Sequence, residues 1–152
     1  MNNKFKLQNY TTTINYRKSV MEIEEMLNFF GATHIIKEYF SDGRIASISF
    51  KVGNMLFKLP NNSDGIYSYL FKGKRNSGRI NCEKNRRENS DNIAWRILRD
   101  WTHSQLTMIV SKQAEPDQLF MPFYMTKPNR TLYMDFKDNI LKLENKQDAT
   151  GR

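Results

Sequence analysis

A chain of 152 residues, 39% hydrophobic, 12% aromatic and with only four prolines, has the size and composition of one packed domain rather than of a disordered segment. Twenty-four Lys and Arg against sixteen Asp and Glu leave a formal charge of +8, a field that attracts polyanions, nucleic acid foremost. One cysteine, Cys82, rules out an intrachain disulfide; the opening MNNKFKLQNY lacks the apolar core of a secretory signal, and no apolar run is long enough to cross a bilayer. The expected compartment is therefore cytoplasmic, with no membrane partner.

Residues 6–14 are rich in Thr and Tyr and read as a first strand. A helix follows. Ser19 and Glu22 stand at capping-box spacing, Ile23, Met26, Leu27 and Phe30 repeat at helical period, and Gly31 supplies the stop. Three strands come next, Thr33–Phe40, Arg44–Val52 and Met55–Leu59, separated by the hairpin signals Asp42-Gly43 and Gly53-Asn54. Ala46, Ile48, Phe50 and Val52 alternate with Ser47, Ser49 and Lys51, which predicts one buried and one more polar face.

Ile66–Phe71 is expected as a fourth meander strand, and residues 72–90 as a mobile basic loop. Ser90 or Asp91 then caps a long helix over about 92–113, with Ala94, Ile97, Leu98, Trp101, Met108 and Ile109 in its apolar stripe. Pro116 opens a short further turn, and residues 121–125 and 131–136 read as edge strands or apolar ribbons. The domain is expected to span 1–137, with 138–152 a polar, frayed tail. These elements define an α+β fold: strand, helix, a meander of three or four strands and a long helix, forming a single antiparallel sheet with the helices packed on one face.

Thr12, Thr13, Ile14, Tyr16, Arg17, Lys18 and Ser19, then Glu22-Ile23-Glu24, Leu27 and Gly31-Ala32, form a run that resembles a group of small proteins encoded by bacteriophages and prophages. The strand ending Phe57-Lys58-Leu59-Pro60, the helix core Ala94-Trp95-Arg96-Ile97-Leu98 and the step Leu119-Phe120-Met121-Pro122-Phe123 extend the likeness over about residues 10–136. The resemblance implies a phage origin, hence a host-cell cytoplasm, more than it implies a mechanism. The basic loop is not part of it.

That loop is the foremost candidate site. Lys72, Lys74, Arg75, Arg79, Lys84, Arg86 and Arg87 face one acid, Glu83, within residues 72–87. Clustered cations suit a phosphate backbone, because each neutralised phosphate releases condensed counterions. Tyr67, Tyr69 and Phe71 precede the cluster at period two; on a strand they would share a face and stack on unpaired bases, or else be ordinary core. Arg96 and Arg99, one helical turn apart, are expected to extend the patch, and Trp95 reads as core in preference to a second stacking surface.

Signals for chemistry are weak. His34 and His103 lack ligand partners at metal spacing, and no phosphate-loop, dinucleotide or nucleophile-elbow motif occurs, so no catalytic residue, metal or cofactor is expected. Asp135 and Asp138 could join Glu38 or Asp42 as a carboxylate pair, but nothing in the spacing demands it. The reading is a sequence-tolerant binder of nucleic acid, single strands favoured. The alternative is an anti-defence protein that docks on a host immune protein or sequesters a phosphorylated small ligand. Met and Phe at 120–125 would then serve a protein interface, a homodimer included.

Overall fold

Asn15 sets where the first helix begins. Its side chain accepts the Arg17 amide at 2.9 Å, and α1 runs Tyr16–Phe29. The computed structural model describes residues 5–75, 78 and 80–150, the last four by backbone alone. The described elements continue as β1 (His34–Tyr39), β2 (Ile45–Val52), β3 (Met55–Lys58), α2 (Ser63–Phe71), α3 (Cys82–Val110) and α4 (Pro116–Phe120). A 3-10 turn at Met121–Phe123, β4 (Met125–Lys127), β5 (Arg130–Thr131) and α5 (Leu132–Thr150) complete them. The class is α+β, with five α-helices, a three-stranded antiparallel sheet and a two-stranded hairpin among the described residues. None of these helices is long and apolar enough to cross a membrane.

The chain divides into two compact units. Residues 1–30 and 60–107 make the first, in which α1, α2 and α3 pack together. Tyr16, Val20, Ile23 and Leu27 of α1 and Ile93, Ala94, Trp95, Leu98 and Leu106 of α3 are its buried apolar side chains. Polar pins fix the register of α1 on α3. The Tyr16 amide, which has no acceptor within its own helix, donates to Asn92 Oδ1 at 2.8 Å. Further along α1, Glu22 accepts from Arg96 at 3.0 Å and Arg99 at 2.7 Å.

Residues 31–59 and 108–152 make the second unit. Its sheet has the order β1-β2-β3, and the hairpin turns rest on Gly43 and Gly53, both at positive φ (+83° and +58°). These are conformations an L side chain resists, so the Asp-Gly and Gly-Asn steps define both turns. Phe50 and Phe57 stack at 5.3 Å between centroids, Phe120 meets Phe50 edge-on at 5.6 Å, and Tyr124 meets Phe57 at 6.0 Å. Pairs of this geometry contribute about 0.5–1.5 kcal/mol each beyond their burial, and they tie α4 and the turn after it to the sheet.

Several expectations are corrected. Residues 6–14 form turns and irregular chain, not a strand. Ser19 lies inside α1 and is buried, so the capping box is displaced by Asn15, one turn earlier. Ile66–Phe71 is helix, not a fourth strand, which limits the meander to three. Ser90 and Asp91 are buried within α3, which starts at Cys82; most of the second half of the expected loop is therefore helical. Leu132–Phe136 opens α5, and that helix takes in residues from Asp138 to Thr150 that were read as a tail.

The more polar face of β2 is covered as well: Ser47 and Ser49 are buried, with Glu38 against the first and Met125 against the second. Ser47 donates to Glu38 directly across the ladder, and Lys58 reaches the same carboxylate at 2.5 Å from the other side. The Lys58 ammonium and the Ser47 hydroxyl hold the Glu38 carboxyl below its ordinary pKa.

Candidate functional site

The basic cluster lies between the end of α2 and the first turns of α3. Asn62 caps α2 by accepting the Gly65 amide at 2.9 Å, and the helix stops at Phe71. Because this segment is helical, Tyr67 and Phe71 stand four residues apart on one face, with their rings 5.4 Å apart. Tyr69 lies away from them. Its hydroxyl donates to the backbone carbonyl of Phe5, and its ring remains exposed. The expected row of three aromatics on one face is thus replaced by a pair and a separate tyrosine.

The cations divide in the same way. Arg87 is committed to the fold: its guanidinium sits 4.0 Å over the Tyr67 ring and pairs with Asp64 and Glu83. The Tyr67 hydroxyl donates to Glu83 as well, which raises the phenol above its ordinary pKa. Arg86 donates to the carbonyls of Arg75 at 3.0 Å and Lys74 at 3.5 Å while lying over the Phe71 ring. It therefore ties the turn back onto α3. Arg96 and Arg99 do not join the patch; they are drawn to Glu22 and Asp100 and are less than a third exposed. Trp95 is fully buried and is core.

Lys72, Lys74, Arg75 and Lys84 remain, all exposed, the Lys74 ammonium standing 5.7 Å from the Phe71 ring centroid. Arg79 lies outside the described residues. Lys74 also lines a cavity of about 400 Å³, together with Phe5, Lys6, Tyr10 and Tyr69. The Lys6 ammonium stands 5.0 Å from the Tyr10 ring centroid. Sequence reading passed over Phe5, and it assigned Lys6 and Tyr10 to a strand; the interleaving of Phe5-Lys6 with Tyr10 was the available signal. Such a concavity, lined by aromatic rings and lysines, has the size and chemistry to accept a planar base whose phosphate meets Lys6 or Lys74.

Among the described residues, no group of three His, Cys, Asp or Glu side chains is placed to hold a metal. Asp135 and Asp138, considered earlier as carboxylate ligands, both accept from Arg130 instead. Thr126 donates to Asp135 and, with Arg130, lowers the pKa of that carboxyl. Compared with protein-family models, curated proteins and solved structures, the chain matches none.

Proposed function

We propose that the first unit binds single-stranded nucleic acid, sequence-tolerantly, at the turn between α2 and α3. The observation that carries this reading is the exposed set Lys72, Lys74, Arg75 and Lys84 beside the aromatic cavity of Phe5, Tyr10 and Tyr69. The cations track phosphates and the cavity takes an unpaired base. A duplex offers the phosphates but keeps its base faces inside the stack, so single strands gain more. Arg86 and Arg87 hold the turn in place and contribute indirectly.

The size of the cavity favours a second reading, a phosphorylated mononucleotide-like ligand sequestered by the same residues, as an anti-defence protein of phage origin would use them. One experiment serves both. Fluorescence titrations with labelled oligothymidine, a matched duplex and a mononucleotide should rank the single strand first. Lys72→Ala, Lys74→Ala, Arg75→Ala and Lys84→Ala combined should weaken single-strand binding about tenfold or more at physiological salt. Tyr69→Ala should cost the single strand about 1–3 kcal/mol and the duplex little. Tyr69→Phe, which keeps the ring, should bind nearly as the parent does. Unchanged affinity in the fourfold variant would refute the assignment, and preference for the mononucleotide would favour the second reading.

A further inference from the structure

We propose that the exposed face of α5 is a self-association surface on which α5 of a second copy of this chain docks antiparallel. Every described side chain from Phe136 to Lys146 is exposed, so this stretch of helix has no buried face of its own. A helix of that length is marginal in water without tertiary cover. Its apolar residues are nonetheless ordered. Tyr133, Phe136, Ile140 and Leu143 follow the three-four-three spacing of a coiled-coil seam and are 56%, 62%, 39% and 62% exposed. Met134 and Leu141 widen the stripe along one flank.

Charge selects the occupant and its direction. The helix departs from the basic balance of the chain: Lys137, Lys142 and Lys146 face Asp135, Asp138, Glu144 and Asp148. The field that repels two copies elsewhere is therefore absent along this segment. Lys137 and Glu144 lie one heptad apart, flanking the seam on the same side. With Ile140 set opposite the partner's Leu143, so that these two layers are the paired apolar core and Tyr133 and Phe136 lie beyond it, an antiparallel pair brings Lys137 to the partner's Glu144 and Glu144 to the partner's Lys137, two pairs per dimer. A parallel pair would set these two positions against Leu132 and Asn139, which carry no charge. The contact is short, so association is expected to be weak and concentration-dependent.

Sedimentation velocity of the full chain over rising concentration tests the proposal without nucleic acid. The weight-average mass should climb above the 18.0 kDa monomer. Ile140→Glu with Leu143→Glu should hold it at the monomer while the far-ultraviolet spectrum of the rest persists. Lys137→Glu or Glu144→Lys alone should weaken association several-fold, and the two together should restore it. A parent chain that stays monomeric throughout, or a dimer indifferent to Ile140→Glu, overturns the proposal; failure of the double swap to rescue overturns the antiparallel register.

Discussion

Glu22 illustrates how one side chain can be misplaced by local reasoning. At capping-box spacing from Ser19 it reads as a helix-start residue, yet its carboxylate is shared between two guanidiniums of α3. Glu22, Arg96 and Arg99 side chains are 21%, 18% and 27% exposed, so the network is partly desolvated and breaking it is costly. Glu22→Gln should lower the free energy of unfolding by about 1–3 kcal/mol, measured by urea denaturation. A capping Glu replaced by Gln would show almost no loss, since both side chains serve that role. Oligonucleotide affinity should stay near the parent value, because Arg96 and Arg99 are placed to clamp α1 rather than to reach phosphate. A gain in affinity on releasing them would show that they can.

Among elements, the meander was legible and α2 was not, for physical reasons that differ. Asp42-Gly43 and Gly53-Asn54 encode their turns in backbone stereochemistry, which distant contacts rarely overrule. Tyr67-Ser68-Tyr69-Leu70-Phe71 satisfies a strand by propensity, but the same residues satisfy a helix through the Tyr67–Phe71 pair and the arginines over those rings. Asn62-Ser63-Asp64, with an N-cap and a first-turn acid, was the overlooked start signal. Asn62→Ala should therefore destabilise the first unit by about 1 kcal/mol, read as a shift in its urea midpoint. The opening of α3 was hidden differently. Residues 82–89 carry no apolar period, and their helicity is supported by Glu83–Arg87 pairing along the helix and by Arg87–Asp64 across to α2. The basic cluster was visible in composition. Its division into anchored and outward-facing cations depends on partners far away in sequence.

For the whole molecule, the twenty-four Lys and Arg overstate the cations available to a ligand, because several of them pair with acids inside the fold. If Lys72, Lys74, Arg75 and Lys84 each meet one phosphate, log affinity for a single strand should fall against log salt with a slope of about −3. Titrations at several salt concentrations check this. A slope much steeper would mean that further cations engage, and one near zero would mean that no phosphate backbone is followed. The same measurement on the mononucleotide should give the shallower dependence of a ligand with few charges.

The placement of the two tryptophans gives the protein a built-in optical reporter. Trp95, wholly enclosed, and Trp101, half-buried, both belong to the part of α3 that lies in the first unit, whereas the second unit contains no tryptophan. Indole emission therefore follows melting of the helical unit alone, while loss of the strand signature in the infrared amide band follows the sheet. Recorded on one sample during a thermal ramp, the two signals tell whether the halves of this chain come apart together or in turn.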